Sequence, residues 1–309
     1  MNRVAIVGRL DWLCSAPGFD IFGEGRDCLL ALIFVSCFPE SARVLRGVYE
    51  DQIFLRDGLM GIEALVLCVR TLIPSTQIPF IDAAISAGVK WIIPSEFGTD
   101  SGNSEYAAEV PIIPPKVDVQ EYLNEQVAKT QSQFMWTGVI NGLVLDWSLP
   151  RGVLGIDTSG KKVVLLDQGA AKVNMTTLPT IGRAVVSLLE LSFEQRLMFA
   201  NKLVYISSFC ISQVDLLESV QRVTSSPQSA WEVQYQDTEE KLATGKEKLK
   251  QGDAFGHADL IYGHVFKEGA GGDYQSRVGV SNEVLSLPKE DLDEEVKRVL
   301  DAERSLLVS

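Results

Sequence analysis

Short apolar segments of strand length alternate with amphipathic segments of helix length along most of this sequence. The alternation is typical of βαβ units, which build a parallel sheet with helices packed on it. Gly88 marks the clearest join, because a glycine after a helical stretch takes the positive φ that ends a helix before the next strand. We predict strands at residues 3–8, 64–69, 90–94, 134–141 and 203–209, and helices at residues 51–60, 77–87, 117–129, 178–191 and 214–223.

The sequence changes character after residue 150. Residues 160–169 are typical of a hairpin strand outside the main sheet, and charged, helix-rich stretches follow at 238–251 and 289–304. We therefore predict an α/β fold: a Rossmann-like, doubly wound parallel sheet with a smaller C-terminal substrate lobe over the carboxyl ends of its strands, where open α/β sheets bind ligands. The predicted domains are a nucleotide-binding domain, residues 1–150 with 178–206 returning to it, and a substrate-binding lobe, residues 151–177 and 207–309.

Composition narrows the choice of partners. The chain has 41 acidic and 28 basic residues, and its net charge of −13 repels nucleic acid and anionic membrane surfaces. Five cysteines without a C-x-x-C pair and two histidines predict no metal site. The longest apolar run, residues 28–38, is shorter than the roughly 20 residues that a membrane-spanning helix needs. The first residues begin a strand and lack a signal-peptide pattern, so we expect a cytoplasmic protein.

Lys116 is the residue that most strongly indicates chemistry. It follows two prolines and opens a predicted helix, and at 100° per residue it shares one face with Val119, Leu123 and Val127. Desolvation on this apolar stripe and the positive end of the helix dipole both lower the pKa of a lysine. Such a lysine is a candidate general acid or base, or a cation that anchors a cofactor. The alternative is a side chain that extends its ammonium into water.

Two turns adjoin predicted strands. The segment Pro94-Ser95-Glu96-Phe97-Gly98 directly follows a strand, where a doubly wound fold presents groups to its ligand, although an ordinary turn has the same composition. Gly8 ends the first strand, as a dinucleotide-binding turn requires. Residues 9–18, however, hold no further glycine at the required spacing, and Trp12 is bulky where a pyrophosphate must approach the backbone. We therefore expect no phosphate-binding turn there.

Residues 89–98, VKWIIPSEFG, resemble the segment VKRFxPSEFG of the isoflavone reductase-like, NmrA-like family of atypical short-chain dehydrogenases. Three further segments resemble that family in the same order along the chain: residues 116–123, 141–147 and 176–185. The resemblance extends from about residue 41 to the C-terminus and is closest to fungal members.

The resemblance implies a Rossmann domain that binds NADPH and a smaller lobe that closes a substrate pocket over the nicotinamide. Enzymes of the family transfer hydride to small aromatic or other conjugated metabolites. In this sequence it implies Lys116 as the catalytic general acid or base, lining the main pocket with its nitrogen near the loop that follows the strand. The residues implied to contact the cofactor are Gly8, Ser95, Glu96, Phe97, Asn141 and Gly142.

The resemblance stops at residues 9–40, where we recognise neither the family's second strand nor the T-R-x-x-S tail that follows it. The run 29–35 is apolar enough to occupy the place of a strand or helix. Gln120 also stands where plant reductases usually have an arginine. Translated intron or frame-shifted sequence would explain the change, which we favour, and so would a divergent pseudo-enzyme without cofactor. A non-enzymatic dinucleotide sensor that binds a regulatory protein is the alternative to a reductase.

Overall fold

A parallel sheet lies at the centre of the protein. The computed structural model describes residues 3–8, 27–31, 42–45, 47–69 and 73–308. In chain order its strands are β1 (Arg3–Gly8), β2 (Asp27–Ala31), β3 (Ala42–Leu45), β4 (Ala64–Cys68), β5 (Trp91–Ile93), β6 (Met135–Ile140), β7 (Leu143–Val144), β8 (Ile156–Asp157), β9 (Lys162–Leu166), β10 (Val173–Thr176), β11 (Lys202–Tyr205), β12 (Phe209–Ile211) and β13 (Glu232–Gln236). The central sheet has the order β11-β6-β5-β4-β1-β2-β3, and its neighbouring strands are parallel. Its order reverses between β1 and β4, which is a topological switch point.

The described helices lie on both faces of this sheet and in a separate core. They are α1 (Gln52–Leu59), α2 (Ile78–Ala87), α3 (Ser104–Glu109), α4 (Pro114–Lys129), α5 (Leu145–Ser148), α6 (Leu178–Glu190), α7 (Phe193–Leu197), α8 (Gln213–Val223), α9 (Thr238–Lys250), α10 (Gly256–Val265), α11 (Tyr274–Val278) and α12 (Leu292–Val308). Successive residues of a strand point to opposite faces. In β1, Ala5 and Val7 belong to the core beneath α1, α2 and α4, while Val4 and Ile6 belong to the core beneath α6. The predicted doubly wound fold is confirmed.

Most predicted elements are present within a few residues of their expected bounds. The strands β1, β4, β5 and β6 and the helices α1, α2, α4, α6 and α8 all correspond to predicted segments. Gly88 ends α2 with a φ of 82°, and its N–H donates to carbonyl oxygens of the last turn. Residues 160–169 contain β9, which pairs antiparallel with β8 as the hairpin requires and parallel with β13.

Residues 9–40 contain a strand of the central sheet, β2, where sequence reasoning recognised no family-like second strand; β2 overlaps the apolar run 29–35 that was expected to take the place of a strand or helix. β2 pairs in parallel with both neighbours, placing Leu29 beside Ala5 of β1 and Arg43 of β3. A strand inside a parallel sheet shows no alternation of apolar and polar residues, so periodicity gave no signal for it. The predicted absence of a phosphate-binding turn concerns residues 9–18, and the absence of the family's T-R-x-x-S tail concerns residues 32–41, after β2. Both segments lie outside the described residues.

The single strand predicted at residues 203–209 is in fact two strands in different sheets. β11 pairs with β6 and ends at Tyr205, whereas β12 begins at Phe209 and pairs with β10. Between them the backbone N–H of Ser207 donates to Asn282 Oδ1 at 3.1 Å. Ser207 and Ser208 interrupt the apolar run, and the chain passes from one sheet to the other at this point, where Asn282 of a distant segment bonds to Ser207.

That distant segment lies at the carboxyl ends of β6 and β11. Tyr274 donates its hydroxyl proton to the carbonyl of Ile206 (2.6 Å), and the N–H of Ser281 donates to the carbonyl of Tyr205 (2.7 Å). Residues 274–282 therefore contact the chain at the carboxyl end of β11. A separate apolar core joins the two three-stranded sheets, β12-β10-β7 and β13-β9-β8, to α8, α9, α10 and α12. Among the described residues, no helix is both long and apolar enough to cross a bilayer.

Candidate functional site

Lys116 lies in the first turn of α4 with its side chain buried. Prolines occupy the first two positions of the helix, and its inward face buries Lys116, Val119 and Leu123. Lys116 is 5% exposed, and its Nζ donates to the backbone carbonyl of Glu96. The ammonium therefore does not reach into water. Burial lowers the pKa of Lys116, while the negative charge of Glu96 opposes that shift to a smaller extent.

Glu96 is fully buried in the loop that follows β5. Its Oε2 accepts a hydrogen bond from Ser101 Oγ at 2.7 Å, and its Oε1 accepts one from Gln120 Nε2 at 2.9 Å. Gln120 lies one turn after Lys116 on α4, so one helix contacts both the backbone and the carboxyl group of Glu96. This placement brings a buried cation and a buried acid together at the carboxyl end of β5.

Gly98 connects this loop to the end of β6. Its carbonyl oxygen accepts hydrogen bonds from the backbone N–H groups of Asn141 (3.1 Å) and Gly142 (2.9 Å). Its φ is 152°, a conformation that other residues rarely adopt, and a Cβ at this position would lie 3.4 Å from Lys116 Nζ. Glycine is therefore favoured here by the backbone conformation.

The remaining predicted site residues lie along the same edge of the sheet. The N–H of Ser95 donates to Gln77 Oε1 and its hydroxyl donates to the carbonyl of Val69, both at 2.8 Å. Phe97 is half-buried against the core beneath α6. Gly8 ends β1 opposite Cys68 of β4, so it lies two strands away from β5. The structure thus brings Lys116 together with the β5 loop and the end of β6, with Gly8 farther along the edge.

Asn141 offers a test of whether a nicotinamide cofactor fits this edge. Its side-chain N–H donates to the carbonyl of Gly142 at 3.1 Å, while its Oδ1 is buried and, among the described residues, has no hydrogen-bond partner. A buried acceptor without a hydrogen-bond partner lowers the stability of the protein. An N–H or O–H group of a ligand that donates to it offsets this cost. The amide and hydroxyl donors of a nicotinamide riboside are groups of the kind that this acceptor would bind, so its chemistry agrees with such a cofactor.

Sequence reasoning missed the partners of a second buried acid in the same loop. Asp100 is 4% exposed and forms an ion pair with Arg277 of α11. Its Oδ1 also accepts hydrogen bonds from Tyr205 Oη (3.0 Å) and the N–H of Gly102 (2.9 Å). Asp100 and Ser101 lie within three residues of the end of the recognised motif, and this proximity could have indicated that they belong to the site. Nothing in the spacing indicated Arg277.

A recess lies on the other side of the Gly98–Gly142 contact. Its space, including the part open to solvent, is about 310 Å³, and Thr99, Asp100, Asn174, His264 and Tyr274 contribute to its walls. Lys116 is not among the residues that line it, and the expectation that Lys116 lines the main pocket stays a prediction. The expectation that its nitrogen lies beside the β5 loop is confirmed by the bond to Glu96.

Comparison with known proteins gives the family. No protein-family model matches the chain. The oxidoreductase aprR of Aspergillus flavus is 30% identical over 267 residues, which are 86% of each protein. The NADPH complex of leucoanthocyanidin reductase from Vitis vinifera superposes with a TM-score of 0.74 at 16% identity, covering 96% of this chain and 99% of that one. A crystal structure of isoflavone reductase gives 0.71 at 16% identity with the same coverage.

The solved structures establish a shared fold, and the fungal relative establishes kinship across most of both chains. The fold, the fungal relative and the motifs in their family order therefore agree on one family. This chain belongs to the isoflavone reductase-like, NmrA-like family, as a fungal-type member related to oxidoreductases.

Proposed function

We propose that this protein is an NAD(P)H-dependent reductase of a small aromatic or secondary metabolite, with Lys116 as its general acid or base. The observation that carries the proposal is the buried amine of Lys116, bonded to the carbonyl of Glu96 at the carboxyl end of β5. General acid–base catalysis is most efficient when the pKa of the catalytic group is near the operating pH, and burial shifts the pKa of Lys116 in that direction.

Each predicted residue around this amine has a proposed role. A bound nicotinamide dinucleotide, expected to be NADPH, supplies the hydride. Ser95, Glu96 and Phe97 flank the nicotinamide, and Asn141 Oδ1 accepts a hydrogen bond from it, with Gly142 and Gly8 along the same cleft. Lys116 Nζ transfers a proton to or from the substrate. The nucleotide-binding domain, residues 1–150 with 178–206, and the substrate lobe, residues 151–177 and 207–309, belong to the same proposal.

Cofactor binding is the first measurement. Fluorescence titrations with NADPH and NADH, followed by thermal-shift assays, give the two affinities. Because residues 9–18 hold no glycine-rich turn, we expect dissociation constants above about 1 μM, or less than about 8 kcal/mol of binding free energy. A tighter complex would show that this segment binds the pyrophosphate without the usual glycines.

Hydride transfer is the second measurement. The protein is incubated with NADPH carrying deuterium at C4 and with a panel of conjugated phenolic acceptors, and the products are analysed by mass spectrometry. We expect deuterium in the reduced product of at least one acceptor. Failure to bind either dinucleotide at millimolar concentration, together with no labelled product, contradicts the proposal.

The sequence of residues 9–18 favours two competing functions. A dinucleotide sensor that binds a regulatory protein must still bind the cofactor, but it has no need for a buried amine, so Lys116 favours the reductase. A pseudo-enzyme needs neither. NADPH binding without deuterium transfer to any acceptor would indicate the sensor, and the loss of both would indicate the pseudo-enzyme.

A further inference from the structure

The buried charges of Glu96 and Lys116 are linked without a direct ion pair. Lys116 Nζ donates to the backbone carbonyl of Glu96, whereas the carboxyl oxygens of Glu96 accept from the neutral side chains of Ser101 and Gln120. The cation and the anion therefore belong to one hydrogen-bonded group of four residues. The proposed function uses the amine of Lys116 and leaves the carboxyl group of Glu96 without a chemical role.

Both carboxyl oxygens of Glu96 accept hydrogen bonds from neutral side chains. An amide nitrogen can only donate, and Gln120 Nε2 donates both to Glu96 Oε1 and to Ser101 Oγ, at 2.9 and 3.0 Å. Ser101 therefore accepts from Gln120 and directs its own proton to Glu96 Oε2. Both carboxyl oxygens are acceptors, as in a carboxylate, and hydrogen bonds to the charged form stabilise it.

Glu96 is also the charged side chain placed to act on the amine. Along α4, Gln120 is neutral, and Asp118 and Glu121 lie on exposed faces. In the β5 loop, Asp100 is already paired with Arg277. Within the described part of the chain, the fixed negative charge of Glu96 is what opposes the desolvation of Lys116.

We propose that Glu96 is a positioning residue that keeps Lys116 protonated in the resting enzyme, and that Ser101 and Gln120 hold Glu96 in its ionised form. This inference rests on the proposed function and makes Lys116 the proton donor of the reduction. In the donating step an N–H bond of the ammonium breaks, and the proton joins the substrate atom that has become more basic. The neutral amine then recovers a proton from water.

A substitution of Glu96 by glutamine tests the role of the charge. The ionisation of Lys116 is followed by NMR of protein labelled with ¹³C at the lysine ε-carbons, with Lys116→Arg identifying the signal. In Glu96→Gln we expect the titration midpoint of Lys116 to fall by roughly one pH unit, about a tenfold loss in proton affinity. The matched control is Glu125→Gln, an exposed carboxylate of the same helix bonded to Lys129, which should move the midpoint by less than about 0.3 pH unit.

An unchanged midpoint in folded Glu96→Gln overturns the inference, because a purely structural Glu96 would alter stability and leave the ionisation of Lys116 in place. If that variant does not fold, Ser101→Ala and Gln120→Met each remove one hydrogen bond to the carboxylate. Each substitution should lower the titration midpoint of Lys116 by an amount that corresponds to a loss of about threefold in proton affinity. No shift in either of these variants is equally decisive against it.

Activity separates this inference from the proposed function. In Glu96→Gln the fall of kcat with rising pH should begin about one pH unit lower than in the wild type. If Lys116→Ala abolishes turnover while Glu96→Gln leaves both the midpoint and the pH profile unchanged, the reductase proposal stands and the role of Glu96 falls. If Lys116→Ala has normal activity, the reductase mechanism fails, whatever the titration shows.

Discussion

Glu96 and Asp100 are buried acids four residues apart in one loop, yet their charges are balanced in different ways. Asp100 contacts its cation directly, through the ion pair with Arg277 and the hydroxyl of Tyr205. Glu96 binds neutral donors, and its cation contacts the backbone carbonyl of the same residue. A direct ion pair holds both charges in a fixed contact, whereas the indirect arrangement leaves the Lys116 amine free of a carboxylate and able to exchange its proton.

The two arrangements also differ in how far apart their partners lie along the chain. Lys116 and Glu96 are 20 residues apart, while Asp100 and Arg277 are 177 residues apart. The proposed chemistry therefore depends on local structure, and the ion pair joins a late segment of the chain to it. We infer that the Glu96 group serves reactivity and the Asp100 group serves the attachment of α11.

Removal of the Lys116 amine should have the largest effect and should be confined to activity. If the protein reduces a substrate, Lys116→Ala should lower kcat by about 10²–10⁴, the usual contribution of a general acid or base. Lys129→Ala, an exposed lysine at the other end of α4, is the control and should keep full activity. Steady-state kinetics measure both, and an unchanged kcat in folded Lys116→Ala rejects its catalytic role.

Loss of the Asp100–Arg277 pair should instead affect stability. Because Arg277 is partly exposed, we expect Asp100→Asn and Arg277→Gln each to lower the free energy of unfolding by about 1–2 kcal/mol, less than for a fully buried pair. Urea denaturation of both single variants and the double variant gives the coupling energy, expected near 1 kcal/mol. A coupling near zero would remove the difference that we draw between the two acids.

The pH dependence of stability should also distinguish the two groups. Burial lowers the pKa of Lys116 below its ordinary 10.5, so the folded protein binds this proton more weakly than the unfolded chain does. The wild type should therefore gain stability relative to Lys116→Met as the pH rises towards 10.5, by about 1 kcal/mol for each pH unit that separates the folded and unfolded pKa values. Denaturation of both proteins between about pH 7 and pH 10 measures this slope, and parallel curves would indicate a solvated amine.

The exposed ion pair between Asp293 and Arg222 should have the smallest effect on stability. Hydrogen bonds from Arg222 and Ser219 lower the pKa of Asp293 to about 2, and Asp293 joins α12 to α8. Its stabilisation is present above the ordinary value of 3.8 and disappears as the pH falls from 3.8 to about 2. Because the side chain is 39% exposed, the difference between wild type and Asp293→Asn across this window should stay below about 1 kcal/mol. A larger difference would show that this surface ion pair contributes as much to the free energy of unfolding as a buried pair does.

Hydrophobic periodicity predicted the helices and strands whose structure follows from their own local sequence. The stripe of α4 gave the burial of Lys116, and the apolar run before Pro94 gave β5 and the loop that follows it. It failed for β2, whose place in the sheet depends on its neighbours, and for residues 203–209, which change sheets near Ser207, where the distant Asn282 bonds to the chain. Arg277 was missed for the same reason, since its contact with Asp100 exists only after distant segments have folded together.

The double hydrogen bond on the Gly98 carbonyl makes the site preorganised. Because the N–H groups of Asn141 and Gly142 share that one oxygen, the β5 loop and the end of β6 are fixed to each other once the sheet has formed. The conformational entropy of aligning Lys116, Glu96 and Asn141 is therefore lost during folding and not when a ligand binds. Fixed dipoles need no reorganisation as charge moves in a reaction. Mutations that weaken the hydrogen bonds to the Gly98 carbonyl oxygen should slow the proposed proton transfer, although they remove no group that takes part in it.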